Sequence, residues 1–282
     1  MNKIYKLSNG VEVPAIALGT ALNDREDEVV RCVIDAVESG YRSIDTAAAY
    51  NNQPGIGKGI KQCGLKREEL FITTKVWNSK HGYENTLADF DHSLRELKLD
   101  YIDQFLIHWP GQTESFIDTW RALEQVYKEK RARVIGVSNF LVHHLTRLIE
   151  VSEISPMVNQ LEINPVFIPN DVIEFCNSNH IQVEASRPIC WGKLDHFEIL
   201  SKLSEKYFKT PTQIVLRWHL EKGIRPLPKT IRKERMVENL DVFDFSLTTE
   251  EISEINKLDT GVRQTGQDPD TFFMLDMPIL TE

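Results

Sequence analysis

An acid and a phenol five residues apart open the chemistry of this chain. In YRSIDTAAAY (41–50), a strand-like run from Tyr41 to Ile44 gives way to small residues that cannot continue a packed strand. Asp45 therefore closes a strand, and Tyr50 stands in the connection after it. Lys75 ends a second such run, LFITTKVW, and His108 a third, YIDQFLIHWP. A desolvated ammonium needs a partner, and Asp45 suits Lys75. A cation beside Tyr50 would lower its pKa from the ordinary value of about 10, while His108 could orient a bound carbonyl. The four suit proton donation to a developing alkoxide. Each alone has a plainer reading, since buried Asp–Lys pairs are often structural and a strand-end His often only satisfies a carbonyl. Their coincidence at three successive strand ends points to a site.

A second signal is basic. Lys222, Arg225, Lys229, Arg232, Lys233 and Arg235 face one acid, Glu234, within a chain of net charge −9. The cluster follows the last strand, where barrels often bind phosphate with loops and the start of a short extra helix. Thr230 can cap that helix, and Lys229 and Arg235 can supply charge-assisted hydrogen bonds; the alternative is a solvated basic face. No G-x-G-x-x-G follows a strand, so a dinucleotide here is not held in the Rossmann manner. Ser138, Asn139 and Gln160 end two further strands, where they could bind a planar carboxamide or one another. Trp77 and Trp109 directly follow the strands of Lys75 and His108 and form an apolar wall, with Trp191 a third candidate.

The elements that must carry these residues alternate. KIYKLSNGVEVP reads as a hairpin turning on Asn9-Gly10 in a two-residue type I′ turn. Strands follow at 15–20, 41–47, 70–76, 102–108, 134–138, 157–163, 181–185 and 224–228, with helical periodicity between them: 24–39, a short Gly-rich helix within 54–64, faces marked by Leu87–Leu97 and Trp120–Tyr127, then 140–150, 169–179, 197–208 and 211–222. Nearly all the strands are continuously apolar, as strands buried on both faces are. The fold class is α/β: a single (β/α)₈ TIM barrel spanning 1–282, with the N-terminal β-hairpin capping its bottom and a short C-terminal loop; an open doubly wound sheet is the second choice. The tail from Gly261 carries Phe272, Phe273 and Leu275 and should pack against the barrel.

At 282 residues and 41% apolar, the chain can bury one large core. Its acidity argues against nucleic-acid or membrane partners, and no run approaches the ~20 apolar residues of a membrane span. Cys32, Cys63, Cys176 and Cys190 have no paired spacing and read as free thiols of a cytoplasmic protein.

The motifs IDTAAAYNN, ITTKVWN, LIHWP, GVSNF, NQLEINP and LPKTIRKERMVEN fall in the order and spacing of the aldo-keto reductases, which the chain resembles from about Lys6 to Leu258. The resemblance implies the barrel fold, with NADPH extended across its mouth. By it, Tyr50 is the general acid, tuned by Lys75 and Asp45, and His108 orients the substrate carbonyl. Ser138, Asn139 and Gln160 resemble the holders of the nicotinamide carboxamide, and Asp45 lies beside them. Lys229, Thr230 and Arg235 are similar to the grip on the 2′-phosphate, and Glu238 and Asn239 to residues near the adenine. Gly19, Thr20 and Trp77 fall at cofactor and substrate contacts. The chain departs from the pattern where an aromatic usually stacks on the nicotinamide: it reads Glu184-Ala185-Ser186-Arg187-Pro188, and Ser186 cannot stack. Arg187 or Trp191 is then expected to substitute, Arg187 by stacking its guanidinium or meeting the pyrophosphate. Ala21 stands where an aromatic is common, and Gln53 where Glu is usual.

The expected activity is NADPH-dependent reduction of a small aldehyde or ketone by a metal-free monomer. His143 and His144 adjoin, so they should diverge around a helix. Two rivals remain. Glu162 and Glu184, near strand ends, could be a glycosidase pair, which the basic cluster disfavours. A cofactor-binding sensor or structural barrel without turnover is disfavoured by the intact tetrad.

Overall fold

The computed structural model describes residues 4–21, 25–112 and 114–273. The hairpin comes first, β1 (Ile4–Lys6) against β2 (Glu12–Pro14), antiparallel with Tyr5 opposite Val13. Its turn differs from the expected one. Gly10 N donates to Leu7 O, Leu7 N to Val11 O, and Gly10 alone takes a left-handed φ of 84°. That is a three-residue loop, Ser8–Gly10, with the glycine in the bulge position rather than a two-residue type I′ turn. The hairpin lies under the strand starts: Asn9 Nδ2 donates to Arg133 O, and Tyr5 OH to Leu220 O.

Eight parallel strands follow, interleaved with helices. They run β3 (Leu18–Gly19), α1 (Glu26–Glu38), β4 (Ser43–Asp45), α2 (Gln53–Gln62), β5 (Phe71–Val76), α3 (Tyr83–Leu97), β6 (Ile102–Ile107), α4 (Ser115–Lys128), β7 (Ala132–Ser138), α5 (Val142–Val151), β8 (Val158–Glu162), α6 (Asn170–Ser178), β9 (Gln182–Ser186), α7 (Glu198–Tyr207), α8 (Pro211–Glu221) and β10 (Arg225–Pro226). Neighbours pair in chain order from β3 to β10. The ring closes where Ala17 N donates to Pro226 O, Gly19 N donates to Pro228 O, and Gly19 bridges Lys229 in parallel. Every residue of β5, β6 and β8 is buried, the apolar majority packing the core while Lys75, Gln104, Gln160 and Glu162 are among the polar residues buried with it. Helix α1 turns Val29, Cys32, Val33, Ala36 and Val37 inward and stops before Gly40, at φ 108°; Asp24 lies outside the described residues.

Among the described residues two helices follow the last strand, α9 (Lys233–Leu240) and α10 (Thr249–Asn256). The second was not expected, though its signal is present. Thr248 accepts from Glu251 N while the Glu251 carboxylate accepts from Thr248 N, a capping box. In the tail, Phe272 is buried and Phe273 half exposed; Leu275 lies outside the described residues.

Candidate active site

The strand ends bring the four expected residues together. Lys75 Nζ donates to Asp45 Oδ1 at 2.6 Å and to Thr46 O at 3.0 Å, fully buried. Tyr50 ends a single 3-10 turn after β4, and its ring centroid lies 5.3 Å from the Lys75 ammonium. The rings of Tyr50 and Trp77 each meet His108 edge-on, at 5.7 and 5.0 Å. Two residues hold this turn, Asn52, which the sequence did not mark, and Gln53, noted there only as a departure from the family pattern. Asn52 Nδ2 donates to Thr20 O and its Oδ1 accepts from Thr46 Oγ1, tying the ends of β3 and β4. Gln53, buried at the start of α2, donates to Thr74 Oγ1 and Ser93 Oγ. A polar pair ahead of a helix, just after Tyr50, was the available sign.

Burial raises the Tyr50 pKa, and Lys75 only partly draws it back down. The expected lowering is thus overruled: the phenol is held protonated, as a donor must be, with a cation in place for the phenolate. Burial alone would lower Lys75, but Asp45, Tyr50 and Glu184 outweigh it and the ammonium is retained. His108 is pushed well below the usual imidazole range, by burial first and then by Lys75 and Arg187. It is a neutral ring, and among the described residues its buried Nδ1 has no partner.

Beneath the tetrad the barrel interior is polar and continuous. Gln160 Nε2 donates to both Asp45 Oδ2 and Glu184 Oε2, at 3.0 Å each. Gln104 also donates to Glu184. Arg225 pairs with Glu184 at 2.5 Å and donates to Ser43 Oγ and to Pro14 O of the hairpin. Arg225 therefore belongs to the barrel interior and not to a phosphate-binding cluster. Glu184 is its counter-ion, and Glu162 accepts from Gln264 N and Thr265 Oγ1. Both carboxylates are committed, which removes the geometry a glycosidase needs.

The polar atoms left over in the mouth suit a carboxamide. Asn139, at a left-handed φ of 62°, donates to His108 O and Ser138 Oγ. With the Gln160 amide N–H groups spent, among the described residues Asn139 Oδ1 and Gln160 Oε1 remain as acceptors and the Ser138 hydroxyl as a donor. Two acceptors and one donor complement a carboxamide's two N–H groups and one C=O. Gly19 and Thr20 adjoin across the seam, Thr20 Oγ1 donating to Asp45 O. A Cβ on Gly19 would lie 3.0 Å from Leu227 O.

The remaining basic residues divide. Lys233 pairs with Glu38 and Asp35, and Lys222 lies over the Trp218 ring. Lys229 is half-buried, Arg232 and Arg235 are exposed, and none has a carboxylate partner among the described residues. Thr230 does not cap α9. Arg232 occupies the cap, and Thr230 Oγ1 accepts from Arg232 N one turn earlier. Glu238 accepts from Thr210 Oγ1, and Asn239 is buried.

Trp77 and Trp109 are buried as expected, and Phe272 of the tail packs on both at 6.1 and 4.3 Å between ring centroids. Ser186 ends β9, and the Arg187 guanidinium carbon sits 5.4 Å over the Trp191 ring. Trp191 is 53% exposed, so it does not belong to the buried wall. His143 and His144 converge instead of diverging: their Nε2 atoms lie 2.9 and 3.3 Å from Asp270 Oδ1. His144 Nδ1 accepts from Leu141 N, so its Nε2 carries the proton and donates to the acid. A metal ion there would require the other tautomer.

Residues 15–260 match the model of the aldo/keto reductase family. The chain is 48% identical over 265 residues to the glyoxal reductase of Bacillus subtilis, covering 94% of this chain and 95% of that protein. It is 42% identical over 273 residues to the methylglyoxal reductase DkgA of Escherichia coli, covering 95% and 98%. A Bombyx mori aldo-keto reductase solved in complex with NADP superposes with a TM-score of 0.88 at 37% identity, over 93% of this chain and 94% of that one. Tetrad, polar mouth and unpaired basic edge thus sit on a barrel shared over nearly its whole length, and the chain belongs to the aldo/keto reductase family.

Proposed function

We propose that the barrel mouth reduces small, reactive aldehydes or ketones, with the Tyr50 hydroxyl giving its proton to the carbonyl oxygen. Family membership makes the chain an NADPH-dependent carbonyl reductase; what is proposed is which residues act and on what. NADPH supplies the hydride when bound. The observation carrying the reading is the buried Lys75–Asp45 pair set against a protonated Tyr50, with neutral His108 edge-on to it. Lys75 stabilises the phenolate left behind, Asp45 holds Lys75 charged and in place, and His108 orients the carbonyl. The apolar wall of Trp77, Trp109 and Phe272 excludes water from this corner.

In the same reading Ser138, Asn139 and Gln160 hold the nicotinamide carboxamide. Gly19 and Thr20 let the cofactor approach the seam closely. Lys229, Thr230 and Arg235 grip the 2′-phosphate, Glu238 and Asn239 border the adenine, and Ser186 and Arg187 lie along the cofactor's middle. Glyoxal and methylglyoxal, the substrates for which the two relatives are named, are the first carbonyls to try. Among the described residues no helix is long and apolar enough to cross a membrane, and we place the protein in the cytoplasm as a one-domain monomer.

The test is NADPH consumption with either aldehyde by the wild type and Tyr50→Phe, alongside NADPH binding by tryptophan quenching. The wild type should turn over, and the variant should bind NADPH yet reduce nothing. Turnover by the variant would remove Tyr50 as donor. Binding without turnover by the wild type would favour the sensor reading.

A further inference from the structure

Glu184 is a fully buried acid that no step of the proposed reaction uses. Strand register turns it inward. Gln160 of β8 pairs with Glu184 of β9, and Glu184 with Arg225 of β10. Side chains at paired positions share a face of the sheet, so all three enter the barrel, where Gln104 of β6 meets them. Glu184, Arg225 and Gln104 have no solvent exposure.

The acid has no freedom to turn. Arg225 holds its Oε1 at 2.5 Å, and Gln104 Nε2 donates to both oxygens, at 3.1 and 3.0 Å. Gln160 Nε2 then donates to Glu184 Oε2 and to Asp45 Oδ2, at 3.0 Å each. A side-chain amide has two ends of nearly the same shape, and its partners decide which way round it sits. Here each carboxylate has its own cation, Arg225 or Lys75, and acts as an acceptor. A reversed Gln160 would set its oxygen against two carboxylate oxygens in a dry interior, where unmatched polar contacts cost most. The amide therefore has one orientation, and its oxygen is the end it can offer a ligand. Asn139 is turned the same way, since its amide nitrogen is spent on His108 O and Ser138 Oγ.

We propose that Glu184 is a positioning residue for the cofactor site: it locks the Gln160 amide with the oxygen as its free end, so that the mouth selects a pyridine ring whose substituent donates N–H groups. The proposal rests on the reading in which Ser138, Asn139 and Gln160 hold the nicotinamide carboxamide. In that reading Gln160 touches the cofactor, Glu184 acts only through Gln160, and Arg225 and Gln104 act only through Glu184.

The probe is 3-acetylpyridine adenine dinucleotide phosphate, in which a methyl ketone replaces the carboxamide and no N–H remains. Its binding and that of NADP⁺ are compared by tryptophan quenching in the wild type, Glu184→Gln and Glu184→Asp, with melting curves to establish folding. The wild type should bind the analogue about ten- to a hundredfold more weakly than NADP⁺, because two acceptors then face a methyl group. In Glu184→Gln the single side-chain oxygen at this position is claimed by Arg225, and its amide nitrogen confronts that of Gln160. The Gln160 amide should reverse, weakening NADP⁺ and lowering the analogue-to-NADP⁺ ratio of Kd by about threefold or more. Glu184→Asp keeps a counter-charge for Arg225 but draws it back from Gln160 by one methylene. It should fold even where Glu184→Gln does not, and move the ratio the same way. A general loosening of the barrel would weaken both ligands equally, so an unchanged ratio in a folded variant overturns the lock. If the wild type discriminates and the folded variants keep its ratio, the carboxamide reading stands and the lock is wrong. A wild type that binds both ligands alike removes the carboxamide reading and the lock with it.

Discussion

Asp45 serves three partners at once, and the site depends on that economy. Oδ1 accepts from Lys75, Oδ2 from Gln160, and its carbonyl from the Thr20 hydroxyl. Through Gln160 it shares a donor with Glu184, whose own counter-ion is Arg225. The charges of the interior are thus two linked pairs, stacked from the mouth towards the hairpin. Removing one member of a buried pair strands the other, at a cost of about 3–5 kcal/mol. Glu184→Gln should lower stability by that order in urea unfolding, and an unchanged midpoint would show that Arg225 finds another counter-charge. Lys229 represents the opposite case, a half-buried cation at the seam with no carboxylate partner among the described residues. Lys229→Ala should weaken NADPH binding by about 2–3 kcal/mol, with NADH little affected. Equal losses for both cofactors, read by tryptophan quenching, would place the 2′-phosphate elsewhere.

Among the elements, α2 shows why a glycine-rich stretch is helical here. Its N-terminus carries Pro54 at a tolerated position, and its glycines are sites of close approach. A Cβ at Gly57 would stand 2.3 Å from the Leu97 carbonyl oxygen at the end of α3, and Cβ atoms at Gly55 and Gly59 would meet Val29 and Val33 of α1. Backbone cannot yield as a side chain can, so Gly57→Ala should destabilise by about 1–3 kcal/mol. A thermal midpoint within error of the wild type would mean that α2 can slide away from α3. The same helix begins with Gln53, which bridges β5 and α3, and follows Asn52, which ties Tyr50's turn to β3. Loosening α2 therefore reaches the proton donor.

Across the whole molecule, acid should be destabilising through buried neutral histidines. Burial lowers His219 to about 3 and His81 to about 4, against about 6.5 in the unfolded chain. Between these values the unfolded state binds the proton and the folded state does not. Stability is therefore full above about pH 6.5 and falls as pH drops towards the folded-state values. Asp89, raised by burial to about 6, and Asp45, raised by burial against the pull of Lys75, act in the opposite sense. For His219 alone the loss is about 2 kcal/mol by about pH 5. Melting curves from neutral to mildly acidic pH should show the slope, and His219→Gln should reduce it. An identical slope in the variant would mean that His219 takes up a proton while folded.

The barrel and its tetrad were legible in the chain because their signals are local. An apolar run followed by Asp, Lys or His places that side chain at a strand's carboxyl end whatever the rest of the chain does. What tertiary structure alone decided concerns residues that meet across the barrel. Glu184 resembled a free acid and Arg225 part of a phosphate clamp until strand register set them side by side, 41 residues apart in sequence. His143 and His144 were expected to diverge, yet a tail residue 127 positions away from His143 gave them a shared acceptor. Tyr50's pKa direction likewise depended on burial, which no spacing reports. Periodicity reveals which face of an element turns inward; ring closure decides what each inward group finds there.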